Sequence, residues 1–262
     1  MRLTHFKLCP FSRSIRLALG EFGFRPTFED VQPWALNRSF LTKNPAGILP
    51  VLETESGRVL IGAYATAEFF DDVMTVRESP RPETGDADAR DVTALEDWIG
   101  VAPEAMGSAA TATEPVPLFP GDADDRAEVR RLVDWFHLKF DREVTQEFLI
   151  ERVQPILNRA TARSPDAGLL RAARANLRYH LSYIGFLADQ RRWLAGDTLS
   201  YADLAAAAHL SVADYLGEID WEDAPFAQAW YQRVKSRLSF RSLLEDRVPG
   251  LAPPGHYAEL DF

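Results

Sequence analysis

The residues of this chain best suited to chemistry lie near its N-terminus, where a cysteine precedes a proline, a phenylalanine and a serine. Cys9 follows a short apolar segment, and the residues after it take up the helical spacing of apolar side chains. Amide groups at a helix N-terminus, together with the nearby Arg13, would lower the pKa of the thiol and favour the nucleophilic thiolate. The alternative is that Cys9 is an inert small apolar residue. Ser12 either donates its hydroxyl to such chemistry or caps the helix, and we favour the cap.

Leu49 and Pro50 form a second candidate site, which would bind an extended peptide. If the bond between them is cis, the backbone N–H and C=O of Leu49 can pair with such a peptide. The alternative is a plain edge-strand proline. Gly62 and Ala63 follow the next apolar strand, and neither has a side chain that forms hydrogen bonds.

Two further segments are candidates for binding a partner protein. Trp34 lies in the loop after the second predicted strand, where it either packs down as a lid or serves as an exposed anchor. Residues 248–262 form a tail whose prolines predict an extended course. A disordered end has no need of large apolar residues, so we favour docking or recognition by the tail. Its candidate contact residues are Tyr257, Leu260, Asp261 and Phe262.

The composition excludes several classes of function. The 262 residues carry a formal net charge of −10, which argues against nucleic acid or an anionic membrane as the main partner because both need a basic face. One cysteine excludes an internal disulfide and fits a reducing compartment. The five histidines lack metal-ligand spacing, so we expect no metal site. The N-terminus has no apolar signal core, and the longest apolar run, residues 204–212, is predicted to be a buried helix and not a membrane span; we therefore expect a cytoplasmic protein.

Alternating strand and helix signals position the candidate residues in a thioredoxin-like domain over residues 1–74. The predicted elements are strands near residues 3–8 and 27–31, a helix over 11–22 between them, a hairpin of 51–53 and 59–61 with Ser56 and Gly57 at its turn, and a helix over 65–73. The order is βαβ, then a hairpin, then a helix.

The rest of the chain is predicted to be a linker followed by helices. Residues 75–122 are rich in proline and acidic residues and predict a linker with an inserted segment, regular only in a short helix over 88–99. We favour a solvated excursion over a dedicated binding element. Residues 123–247 are predicted to be an all-helical domain, in which Ser200 and Asp203 are spaced for a capping box. Two apolar stripes mark its long helices, namely Val129, Leu132, Val133, Phe136, Phe140 and Val144, and Leu170, Ala173, Leu177, Leu181 and Ile184.

The chain resembles the glutathione transferase family. The motifs that carry the resemblance are Cys9-Pro10-Phe11-Ser12-Arg13, Asn44-Pro45-Ala46-Gly47-Ile48-Leu49-Pro50-Val51-Leu52 and Leu199-Ser200-Tyr201-Ala202-Asp203. The resemblance implies an α+β two-domain fold with a cis Leu49–Pro50 bond. In such a fold a Glu-Ser or Asp-Ser pair holds the γ-glutamyl end of glutathione. Gly62 and Ala63 stand where that pair is expected, so the implied pocket is vestigial and no cofactor is expected. Its members are Cys9, Pro10, Phe11, Ser12, Leu49, Pro50, Gly62 and Ala63.

Two features make the chain similar to a bacterial cell-division branch of the family. One is the lack of the Glu-Ser or Asp-Ser pair, and the other is the tail that begins Arg247-Val248-Pro249-Gly250. This resemblance implies a non-catalytic homodimer at the division site that binds filaments of the tubulin-like GTPase FtsZ. One alternative is an omega- or beta-type thiol transferase, in which Cys9, assisted by Ser12, forms a mixed disulfide with glutathione. Another is an adaptor that uses the fold for a different partner.

Overall fold

The computed structural model describes residues 1–78 and 117–260. The predicted helix over 88–99 and most of the predicted insertion lie outside these residues, as do Asp261 and Phe262.

The N-terminal part is a four-stranded sheet with helices packed on it, which confirms the thioredoxin-like prediction. The strands are β1 (Arg2–His5), β2 (Thr27–Asp30), β3 (Val51–Glu53) and β4 (Val59–Ile61), and the helices are α1 (Pro10–Glu21), α2 (Arg38–Lys43) and α3 (Ala63–Glu78). The strand order is β2-β1-β3-β4, with β2 parallel to β1 and the other pairs antiparallel. The predicted hairpin turn holds because Gly57 takes a φ of 82°, which a glycine adopts without steric cost.

Several predicted boundaries differ from the observed ones. β1 ends at His5 and not at residue 8, because the chain turns there and the Cys9 N–H donates to the Phe6 carbonyl at 2.9 Å. β2 ends at Asp30. α3 begins two residues earlier than predicted and continues to Glu78, past the predicted domain boundary at residue 74. A buried carboxylate joins α3 to the start of the helical part, since Asp71 Oδ1 accepts the amides of Leu118 at 2.5 Å and Phe119 at 3.1 Å.

The C-terminal part is helical, as predicted. A continuous helix covers residues 123–157 and changes winding along its length. Its segments are α4 (Ala123–Asp134), a first π-helix (Trp135–Thr145), α5 (Gln146–Phe148), a second π-helix (Leu149–Val153) and α6 (Gln154–Leu157). The later helices are α7 (Ala167–Gln190), α8 (Tyr201–Tyr215), α9 (Pro225–Lys235) and α10 (Arg241–Leu244), with short 3₁₀ turns at Arg159–Thr161, Leu238–Phe240 and Gly255–Ala258. Every residue of the two predicted apolar stripes is buried.

Helix α8 is the centre of this part, because all of its residues are buried. The predicted capping box of Ser200 and Asp203 is present at its start. Asp203 Oδ2 accepts both the amide and the hydroxyl of Ser200 at 3.0 Å, and Oδ1 accepts the Leu194 amide at 2.8 Å and the Trp230 indole N–H at 2.9 Å. One buried carboxylate therefore holds three segments of the chain together.

The tail is not simply extended, which corrects the prediction for residues 248–262. It folds back in a 3₁₀ turn, and Tyr257 is fully buried, so Tyr257 cannot be an exposed anchor for a partner. Its hydroxyl accepts from Arg13 at 3.2 Å and donates to the Leu243 carbonyl at 3.1 Å. The sequence shows Tyr257 among prolines, but it does not show that the buried guanidinium of Arg13 forms a hydrogen bond with it.

Candidate functional site

Cys9 is placed as predicted, at the N-cap of α1, but in a different chemical state from the expected one. The residue is 9% exposed, and burial raises the pKa of its thiol. The Ser12 hydroxyl and the first amides of α1 oppose this shift, while the charge of Asp141 adds to it. The helix amides therefore do not prevail over desolvation, and Cys9 is held as the neutral thiol.

Arg13 does not serve the thiol, which corrects a second expectation. Its guanidinium is fully buried and turns toward the C-terminal part, where it donates to Ser211 Oγ at 2.8 Å, to the Tyr257 hydroxyl and to Asp246 Oδ2 at 3.3 Å. Arg16 joins the same carboxylate at 2.8 Å. The closeness of Arg13 to Cys9 in the sequence therefore did not predict the direction in which the Arg13 side chain points.

Ser12 does not cap α1, contrary to our preferred interpretation. The N-cap residue is Cys9, and no side chain caps this helix. The Ser12 hydroxyl is fully buried, and among the described residues it has no hydrogen-bond partner of normal geometry. It points into the turn around Cys9 and does not stabilise the helix start.

The peptide-binding half of the site has the predicted backbone. The Leu49–Pro50 bond is cis, and the Gly62 amide donates to the Pro50 carbonyl at 3.0 Å. This contact places Gly62, the residue after β4, beside Pro50, the residue before β3.

The position where the resemblance expects a Glu-Ser or Asp-Ser pair carries no polar side chain at Gly62 or Ala63. Gly62 has a φ of 85° and no side chain, and Ala63 is a 5% exposed methyl group at the start of α3. The nearest hydroxyls on α3 are committed elsewhere: Thr66 donates to the Gly62 carbonyl at 2.6 Å, and Tyr64 donates to Glu68 at 2.9 Å. The carboxylate of Glu68 in turn binds Arg130 at 2.8 Å. Among these described residues of α3, a free α-amino acid end would therefore meet no unpaired carboxylate or hydroxyl.

A polar cluster missed by the sequence analysis lies behind Phe11, where α1 meets the helical part. Thr145 Oγ1 lies 2.8 Å from His209 Nδ1, His209 Nε2 lies 3.1 Å from His137 Nδ1, and His137 Nε2 lies 3.4 Å from the Tyr201 hydroxyl. That hydroxyl is 2.9 Å from Ser14 Oγ, which donates to the Phe11 carbonyl at 2.9 Å. We call Thr145, His209, His137, Tyr201 and Ser14 the hydroxyl–imidazole chain.

Burial sets the charge state of this cluster. It lowers the pKa of His137 to about 3 and that of His209 well below its ordinary range, so both imidazoles are neutral. Asp141 Oδ1 lies 3.9 Å from His209 Nδ1, and burial raises the pKa of this carboxyl to about 6. The sequence held one signal for the cluster, since His137, Asp141 and Thr145 recur every four residues and so share a helix face.

Two of the predicted partner-binding residues, Trp34 and Leu260, are partly accessible to solvent. Trp34 is half-buried and packs edge-on against Phe6 with ring centroids 5.7 Å apart, while its indole N–H donates to Gln32 at 3.1 Å. Leu260 is 44% exposed. Within the described residues, no helix combines the length and apolarity needed to cross a membrane.

Comparison with known proteins identifies the chain's relatives. Residues 8–73 match the glutathione S-transferase N-terminal domain, and residues 155–237 match the glutathione S-transferase C-terminal domain. FtsZ-localized protein A of Caulobacter vibrioides is 41% identical over 99% of this chain and 97% of its own length. Among solved structures, FzlA from C. crescentus (TM-score 0.80, 39% identity) and a glutathione S-transferase from Sinorhizobium meliloti (TM-score 0.82, 41% identity) each align with 100% of this chain and 99% of their own.

Proposed function

The chain belongs to the glutathione S-transferase family, and we propose that within this family it is a non-catalytic member that binds FtsZ filaments and promotes constriction during cell division. It acts as a cytoplasmic homodimer at the division site and does not use glutathione as a cofactor.

The single observation that carries the division role is the full-length similarity to FtsZ-localized protein A. The match to the transferase C-terminal domain ends at residue 237, whereas the similarity to that protein covers nearly the whole chain. It therefore includes the segment in which Asp246 and Tyr257 join the tail to α1. What the two chains share goes beyond the common transferase domains.

The state of the Cys9 site supports a role without catalysis. Burial keeps Cys9 as the thiol, and Gly62 and Ala63 leave the γ-glutamyl end of glutathione without side-chain partners. Each charge-assisted hydrogen bond lost contributes about 1.5–3 kcal/mol, so the loss of two would weaken glutathione binding by a hundredfold or more, to order of magnitude.

We propose Trp34 and the tail end, Leu260 to Phe262, as the contact residues for the filament. Trp34 retains an accessible edge on the β2–α2 loop, and Leu260 presents an apolar side chain to solvent. In a homodimer each contact occurs twice, and effective concentration allows two weak contacts to link neighbouring filaments.

Co-sedimentation with polymerised FtsZ tests the division role. The parent protein is expected in the pellet, and Trp34→Ala or removal of residues 260–262 should weaken its binding by roughly 30-fold, since truncating a hot spot costs about 2 kcal/mol or more. Phe226→Ala is the matched control, because Phe226 is 58% exposed on a different surface. A parent protein that stays in the supernatant would refute the division role.

The second candidate function is a glutathione-dependent thiol transferase, favoured by the retained Cys9 and by the cis bond at Leu49. Titration calorimetry with millimolar glutathione is expected to show no binding heat. Binding at micromolar glutathione, with conjugation of a chlorinated nitrobenzene that Cys9→Ala abolishes, would establish the enzyme in place of the non-catalytic protein.

A further inference from the structure

The hydroxyl–imidazole chain runs in one direction only, because each of its hydroxyls has a single hydrogen. The Phe11 carbonyl can only accept, so Ser14 uses its hydrogen there. Ser14 Oγ must then accept from Tyr201, which uses the only hydrogen of that phenol. The Tyr201 oxygen is left to accept from His137 Nε2–H.

The same reasoning fixes both histidines. A neutral His137 with its hydrogen on Nε2 has a bare Nδ1, which accepts from His209 Nε2–H. The bare Nδ1 of His209 then accepts from the Thr145 hydroxyl. Both imidazoles are therefore Nε2–H tautomers. The hydroxyl–imidazole chain begins at Thr145 in the first π-helix and ends at the carbonyl of Phe11.

The hydroxyl–imidazole chain ends at Phe11, within the turn that holds the Cys9 thiol. Phe11 belongs to the Cys9–Ser12 turn, and its ring packs on both imidazoles, with centroids 4.9 Å from His137 and 5.7 Å from His209. Two hydrogen bonds of Ser14 and two ring contacts of Phe11 therefore join one turn of α1 to the helical part.

We propose that the hydroxyl–imidazole chain is a lock that holds the Cys9–Ser12 turn against the helical part of the protein and thereby keeps the Cys9 thiol out of solvent. The lock deepens the proposed non-catalytic function, on which it rests, by naming the residues that keep the site closed. Tyr201 is its central member, because its hydroxyl is the only link between the imidazoles of the helical part and Ser14 on α1 among the described residues.

Thiol labelling tests the lock directly, because Cys9 is the chain's single cysteine. With an aromatic disulfide reagent under native conditions, Tyr201→Phe should be labelled about tenfold faster than the parent, the change in an opening equilibrium expected when one buried hydrogen bond is lost. Tyr183→Phe is the matched control, because it removes a phenol whose partner is the surface residue Arg131, and it should be labelled at the parent's rate. Equal rates for Tyr201→Phe and the parent would overturn the lock.

Two further measurements separate the lock from general destabilisation and from the proposed function. Hydrogen exchange in Tyr201→Phe should accelerate at residues 11–15 and not at the buried amides of α7, and acceleration in both places would refute a local lock. The ¹⁵N shifts of His137 and His209 should show Nε2–H tautomers, and an Nδ1–H tautomer at either residue would refute the directed chain. Conjugating activity in the parent protein would contradict the non-catalytic function, while slow labelling that Tyr201→Phe relieves would still stand.

Discussion

At the scale of single residues, burial decides the chemistry of this molecule more than sequence neighbours do. Cys9 has helix amides beside it and an arginine four residues later, yet desolvation raises the pKa of its thiol. The histidines follow the same rule in the opposite direction, because an imidazole loses its charged form when buried. These shifts make the stability of the protein depend on pH.

The free energy of unfolding should fall as the pH drops from 7 toward 4. Burial lowers the pKa of His5 and His137 to about 3, of His180 to about 4 and of His209 further still. In the unfolded chain these groups titrate near pH 6.5, so below that pH the unfolded state binds protons that the folded state excludes. Each histidine therefore removes up to about 1.4 kcal/mol per pH unit.

Asp141 acts against this trend. Its pKa is raised from 3.8 to about 6, so the folded state binds its proton more tightly and gains stability as the pH falls through 6 toward 4. Urea denaturation at pH 7, 6 and 5 should show the net decline. His209→Gln should make the decline shallower and Asp141→Asn should make it steeper, and unchanged slopes in both would contradict these assignments.

Residue-scale prediction succeeded where residue identity or the family resemblance restricts the answer. The lack of polar groups at Gly62 and Ala63 follows from residue identity, and the cis bond before Pro50 was expected from the resemblance. The hydrogen-bond partners of Arg13 and the burial of Tyr257 could not be predicted from the sequence. The partners of Arg13, Asp246 and Tyr257, lie 233 and 244 residues from it along the chain. Contacts at that separation depend on how the domains dock, which local pattern does not encode.

At the scale of elements, the long helix over residues 123–157 shows what periodicity does and does not predict. The apolar residues were expected on one face and are buried there. The change to π winding over Trp135–Thr145 was not expected, because the stripe mixes spacings of three and four, as an ordinary α-helix does.

The cap of α8 should be worth more than the other caps. Asp203→Ala leaves four buried donors without an acceptor, namely the amides of Leu194 and Ser200, the Ser200 hydroxyl and the Trp230 indole N–H. It is expected to cost about 4 kcal/mol or more, since each stranded donor costs about 1–3 kcal/mol. Asp166→Ala removes an exposed cap from α7, where water can replace the carboxylate, and should cost about 1 kcal/mol. Equal losses in chemical denaturation would contradict the importance of burial at this cap.

At the scale of the whole molecule, α1 is held from two sides. The hydroxyl–imidazole chain binds its first turn, and Asp246 binds Arg13 and Arg16 farther along the helix. These three charged residues are all nearly or fully buried, so the cluster joins the first helix to the C-terminal segment in a region that water barely reaches.

Asp246→Ala is expected to destabilise the protein by about 3–5 kcal/mol, because it leaves two guanidinium groups in an apolar setting without their carboxylate. Thermal or urea denaturation measures this loss. The neighbouring Glu245 is exposed, so Glu245→Ala is the matched control and should change stability by less than about 0.5 kcal/mol. A similar small effect for both variants would show that Arg13 and Arg16 are satisfied elsewhere.

The Arg13–Asp246 contact also has a consequence for folding during synthesis on the ribosome. Translation proceeds at about 5–20 residues per second, so the 233 residues between the two partners take on the order of 10–50 s to synthesise. During that time the emerging N-terminal segment carries a guanidinium whose carboxylate does not yet exist. The first domain to leave the ribosome therefore completes its contacts last, once Asp246 has been synthesised. A premature stop codon after α9 would yield a chain in which the Arg13 guanidinium lacks this carboxylate, and chaperones and proteases can recognise such a chain.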